Sequence, residues 1–134
     1  AQHTLAECAL KAPANGTVLR IVAGAGDILP KQSGQAAILF APAGQRLVRA
    51  EVDQEFAARV KAGQSAVIED DSASGITWQG RVLRIADWYM QRRNLTYDTT
   101  QFRDTRTIEC LVAFDTGQTE PRLGQRVRVT MGGQ

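Results

Sequence analysis

Cysteine and histidine are nearly missing from this 134-residue chain, which has only Cys8, Cys110 and His3. No C-x-x-C or H-x-x-x-H spacing occurs, so a structural zinc site is not expected. A serine or cysteine nucleophile would also lack an evident base to activate it. Long hydrophobic runs are absent too. No stretch of 18 or more apolar residues occurs, so residues 1–134 contain no helical membrane span. Charge of one sign is scarce, with 16 basic residues against 14 acidic ones and a net charge of +2. The arginines far outnumber the lysines but are spread along the chain. Without a dense basic stripe, nucleic acid is not an expected partner. A signal-peptide pattern is lacking and the chain begins with Ala1, so a processed or excised N-terminus is expected.

What is present is a globular composition, 43% apolar and 22% charged, long enough for one domain or two small ones. Residues 2–10, QHTLAECAL, place Leu5, Cys8 and Ala9 at helical spacing. Pro13 stops that helix and forces Ala12 toward the extended region. A helix that runs straight into a strand reads as the tail of a longer one.

From Ala14 onward the pattern is strand and turn. Asn15-Gly16 is a strong turn signal before the run Thr17 to Val22. GAGD at 24–27 predicts a turn, 30–34 another, and 36–40 a short strand. PAG at 42–44 breaks the chain again and is the expected unit boundary. Beyond it Val48, Ala50 and Val52 alternate with Arg49 and Glu51, and Val127, Val129 and Met131 alternate with Arg126, Arg128 and Thr130. That period of two predicts half-buried antiparallel strands. A helix is expected after Asp53 as N-cap, with Phe56 and Val60 on one face and Lys61 in the last turn before Gly63. Strands follow near 64–69, 76–86, 107–114 and 125–131. Five or six strands with one helix predict a small closed barrel, because closure removes exposed edges.

Catalytic constellations are thin. Asp70–Asp71 falls in a turn and reads as solvated, while Asp98 and Asp104 lie in the long polar span 87–105. GAGDIL lacks the spacing and following helix of a phosphate-cradling loop. No cofactor or metal is expected. Cys110 shares strand parity with Ile108, Val112 and Phe114 and reads as a small buried hydrophobe. The long span does hold one local cluster, Arg92 and Arg93 flanked by Trp88, Tyr89 and Tyr97. Two readings fit it: a solvated loop with aromatics tucked onto the barrel wall, or a contact surface, since arginine and aromatics are enriched at interfaces.

The ordered set of these segments resembles a known family. LKAPANGTVLRIVAGAGDILPKQSGQAAILFAP (10–42) is similar to the second half of the lipoyl-like, or barrel-sandwich hybrid, domain of HlyD-like periplasmic adaptors, the membrane fusion proteins of secretion and efflux systems. LVRAEVDQEFAARVKAGQSAVI (47–68), TWQGRVLRIA and DTRTIECLVAF…RLGQRVRVTM resemble that family's barrel domain. The resemblance covers essentially the whole chain, and the insertion at 91–106 looks like that of ABC-exporter adaptors.

It implies a mainly β fold: residues 1–10 as the end of an α-helical hairpin, 11–42 as a lipoyl-like half-domain and 43–134 as a small antiparallel β-barrel with one short helix. It implies no enzyme but an adaptor of a tripartite export system, bridging an inner-membrane transporter and an outer-membrane channel as part of a ring-shaped conduit. The location implied is periplasmic, with the inner-membrane tether in a segment absent from this chain. Arg92, Arg93, Tyr97, Phe102 and Arg103 are the residues expected to meet a partner. A half-sandwich leaves apolar surface uncovered, so self-association through 14–41 is expected. The competing classes are a ligand-binding barrel and a biotinyl or lipoyl carrier. Neither Lys11 nor Lys31 stands in a carrier's lysine setting.

Overall fold

The computed structural model describes residues 5, 8–29, 34–72, 75–92 and 105–132. The chain divides into two compact units, Ala1–Gly44 and Gln45–Gln134. The fold is mainly β, with a nearly closed antiparallel barrel sheet and one short helix, as the sequence pattern predicts.

In the first unit, Leu5 is helical and the Cys8 amide donates to its carbonyl at 3.3 Å. Strands β1 (Gly16–Ile21) and β2 (Ile38–Pro42) then form a two-stranded antiparallel sheet. Gly16 sits where a Cβ would strike the Ala41 carbonyl and the Phe40 ring, so the strand starts on the one residue that fits there. Between the strands, Asp27 accepts from the Gly24 amide at 2.7 Å while Gly26 takes φ +90°, which makes GAGD a turn and not an anion cradle. The hairpin buries little. Val18, Leu19, Ile21, Ile38 and Leu39 are all more than a third exposed.

The second unit is a five-stranded sheet in the order β3-β6-β5-β4-β7. Its strands are β3 (Leu47–Asp53), β4 (Ser65–Asp70), β5 (Thr77–Gln91), β6 (Arg106–Phe114) and β7 (Val127–Met131). Every neighbouring pair is antiparallel. The period-two reading holds on β6 from Ile108 to Phe114, with Ile108, Cys110, Val112 and Phe114 buried, while Thr107 at the start of the strand is buried as well. Val112 and Phe114 meet Val48, Ala66, Ile68, Trp78 and Val82 in one buried core cluster. Trp78 packs edge-on against Phe114, with ring centroids 6.3 Å apart and planes at 77°, and its indole N–H donates to the Thr119 carbonyl at 2.7 Å.

Two expectations need correction. The helix α1 spans only Gln54–Ala57, shorter than the stretch up to Gly63 that the Phe56/Val60 spacing predicts. Arg59 and Val60 donate to the carbonyls three residues back, so the chain tightens out of the helix, and Val60 packs on the core from a turn. Asp53 holds the N-cap position without a capping hydrogen bond. The second correction concerns β5, which does not end at residue 86 but runs to Gln91. Register shifts at Val82/Arg84 and Ile85/Tyr89 insert extra residues opposite β6. Such bulges bend and twist a strand without ending it, and here they leave Leu83 and Trp88 exposed.

Candidate functional site

The contact surface expected from the sequence lies at the far end of the β5–β6 hairpin. Pairing continues through Tyr89–Ile108, Met90–Thr107 and Gln91–Arg106. The Arg92 amide then donates to the Thr105 carbonyl at 3.1 Å and closes the stem. The Arg92 guanidinium stands 3.6 Å from the Asp53 carboxylate at the end of β3. That carboxylate therefore ties the hairpin stem to the end of β3 instead of capping α1. Both side chains are substantially exposed, so the pair contributes only ~0–1 kcal/mol. Arg93, Tyr97, Phe102 and Arg103 lie outside the described residues. Of the five residues expected to meet a partner, Arg92 is the one the structure places. Trp88 and Tyr89 stand exposed on the same stem.

Beside this stem a cavity of about 680 Å3 opens between β3 and β7. Its lining combines Ala50 and Val52 of β3, Val129 and Met131 of β7, and the segment from Phe56 to Gln64 that leads from α1 into β4. Sequence reasoning missed it because its walls come from strands at opposite ends of the sheet order. Only knowledge of strand pairing could have found it.

Elsewhere the polar groups are engaged structurally. Asp70 accepts from the Ser72 amide and hydroxyl at 2.9 and 2.8 Å and from the Gln125 side-chain amide at 2.8 Å. Asp71 faces Arg126 and Arg128 at 3.7 and 3.6 Å. These carboxylates tie the turn after β4 to β7, so the pair read as solvated is engaged in hydrogen bonds and ion pairs, with Asp70 as the last residue of β4. Arg46, Arg49 and Arg81 likewise have carboxylate partners in Glu120, Glu109 and Asp115. Much of the surplus of arginine is thus neutralised locally. Burial first, and then Glu109 beside it, push the Cys110 thiol up, so it is held as a neutral core group. Among the described residues no group of three or more His, Cys, Asp or Glu side chains is placed to hold a metal. No described helix is long and apolar enough to cross a membrane.

No family model and no curated protein matches the sequence. Among solved structures, the chain is similar to the membrane fusion protein Spr0693 from Streptococcus pneumoniae R6, with a TM-score of 0.69 over 99% of this chain and 15% sequence identity. The match covers 53% of the Spr0693 chain, so these 134 residues span about half the length of that neighbour. At this identity the likeness concerns the fold alone.

Proposed function

We propose that the chain is a β module of an envelope-located adaptor of the membrane fusion type, working in a transport complex by presenting rigid surfaces and not by catalysis. One observation carries this reading: a hairpin that buries almost none of its apolar side chains precedes a filled barrel, and a membrane fusion protein has the same arrangement along essentially the whole chain. The finer assignment is an HlyD-like, ABC-exporter adaptor that bridges an inner-membrane transporter and an outer-membrane channel. The order of segments and the long β5–β6 stem support it. In this arrangement β1–β2 is half of a lipoyl-like sandwich and requires a complement, which a second copy supplies when these 134 residues stand alone.

The cluster of Ile68, Val82, Val112 and Phe114 leaves no room for a small molecule among the inner strands, and among the described residues the cavity of about 680 Å3 between β3 and β7 is the one place where the ligand-binding reading finds support. The carrier reading would need a modified lysine. Lys11 is exposed, and Lys31 lies outside the described residues.

The hairpin end is the expected transporter contact. Replacing Arg92 and Arg93 together by alanine should reduce co-purification with an integral membrane transporter from detergent-solubilised envelopes by about thirtyfold, as loss of two interface arginines of ~1 kcal/mol each implies. The melting temperature should fall by less than about 8 °C, because the Arg92–Asp53 ion pair is exposed. Undiminished co-purification, or a melting point lower by 10 °C or more, would remove the hairpin end from the docking surface.

A further inference from the structure

The sequence marks Asn15-Gly16 as a turn, and the structure gives the pair a second property. Asn15 lies in the bend before β1, and both residues are exposed. Gly16 pairs with Pro42, and the Ala43 amide donates to the Asn15 carbonyl at 2.8 Å. In an antiparallel ladder a bond in that position flanks a pair that exchanges no hydrogen bonds of its own. The Gly16 N–H therefore points off the outer edge of β1, away from β2. Pro42 has no N–H and could not complete the alternative, doubly bonded pair. Among the described residues, no hydrogen bond occupies the Gly16 amide or the Asn15 side chain.

These are the conditions under which an asparagine reacts with its own backbone. Ring closure needs a side-chain amide free to rotate and a following N–H free of hydrogen bonds. It is fastest where the following residue has no Cβ to crowd the attacking nitrogen, which only glycine provides. The other asparagine, Asn94, precedes Leu95, whose side chain hinders that approach.

We propose that Asn15 is a deamidation site of the folded protein, with isoaspartate as the major product. Hydroxide removes the Gly16 amide proton, and the nitrogen attacks Asn15 Cγ. A bond forms between Gly16 N and Cγ, the Cγ–Nδ2 bond breaks, and Nδ2 takes up a proton from water and leaves as ammonia. Water then opens the resulting succinimide ring. Attack at the backbone carbonyl leaves the main chain running through Cγ, which is isoaspartate, and attack at Cγ gives aspartate. No oxidant or metal enters the balance.

Both products place a new carboxylate at the end of the hairpin. Isoaspartate does more. The carbonyl that accepts from Ala43 becomes a free carboxylate, and an extra methylene enters the main chain, so the bond that closes this end of the ladder is lost. Little else holds it, because a two-stranded hairpin with exposed apolar side chains is marginal in water. The modification acts on the hairpin whichever partner the barrel meets.

Ageing of the folded 134-residue chain at mildly alkaline pH tests it, followed by peptide mapping and amide hydrogen exchange. Asn15 should convert mainly to isoaspartate, at a rate that rises in proportion to hydroxide, while Asn94 stays intact. The rate should lie within about tenfold of that in a short peptide spanning residues 12–18, because no structure protects the Gly16 amide. The Ala43 amide should lose its protection in the isoaspartate fraction and keep it in the aspartate fraction. Asn15→Gln should abolish the conversion, since its longer side chain must close a larger ring, and should leave Ala43 protected. Slower conversion than this, aspartate without isoaspartate, or equal conversion at Asn94 would overturn the site. An Ala43 amide equally protected in both fractions would overturn its effect on the hairpin.

Discussion

Replacing Trp78 by alanine is expected to destabilise the barrel by about 3–5 kcal/mol, the cost of deleting a large aromatic from a packed core. Trp78 is 9% exposed, lies edge-on to Phe114 and gives its indole N–H to the Thr119 carbonyl. Alanine removes the ring, the aromatic contact and the only indole donor in the core at once. For a unit of this size each kcal/mol lowers the melting temperature by roughly 4–8 °C. The midpoint should therefore fall by more than about 12 °C, followed by far-ultraviolet circular dichroism. Trp88→Ala serves as the matched control. Its side chain is 63% exposed, so the same truncation should change stability by less than about 0.5 kcal/mol. If the two variants melt alike, the core has been misplaced.

Gly80→Ala adds only a single methyl group and should still destabilise the barrel clearly. A Cβ at this position in β5 would lie 2.5 Å from the Ala113 carbonyl oxygen, 3.1 Å from Ile68 Cδ1 and 3.2 Å from Val112 Cγ1. The first of these is backbone held in the β5–β6 ladder, where Gly80 pairs with Phe114. It cannot swing aside as a side chain does. Relief requires that β5 and β6 separate locally, and overpacking of this kind costs about 1–3 kcal/mol or more. We expect a melting point lower by at least about 4 °C and faster exchange of the β6 amides. Gly44→Ala is the contrast, because nothing lies within 4 Å of its added Cβ and it should melt as the parent does. A Gly80→Ala variant as stable as Gly44→Ala would contradict the close approach of β5 to β6.

The strands were legible in the sequence wherever alternation was unbroken. Ile108, Cys110, Val112 and Phe114 face the core as their spacing implies, and Val48, Ala50 and Val52 face away from Arg49 and Glu51. Alternation failed as a guide where the strand is bulged. At Leu83 and again between Ile85 and Tyr89, the parity slips without any glycine or proline to announce it, so residues 87–91 read as loop. The helix was overestimated for a related reason. Phe56 and Val60 have helical spacing, but a turn brings Val60 onto the core just as well. The site was the least legible. Arg92 stood out beside its aromatics, yet its partner Asp53 looked like a helix cap, and only the fold brings the two together. The cavity between β3 and β7 depends on strand order, which no local pattern encodes.

The first unit raises the sharpest physical question, because a two-stranded hairpin is marginal in water on its own. Val18, Leu19, Ile21, Ile38 and Leu39 remain 38–64% exposed, and each would gain up to about 1.5–3 kcal/mol from full burial. A hairpin that stays ordered with this much apolar surface needs a covering partner. Sedimentation velocity across a range of concentrations, combined with amide exchange in β1 and β2, measures the need directly. The account predicts that the 134-residue chain self-associates, and that Val18→Asp with Ile21→Asp returns it to monomer while β1 and β2 lose protection. A chain that sediments as a monomer at every concentration, with β1 and β2 amides firmly protected, would contradict it.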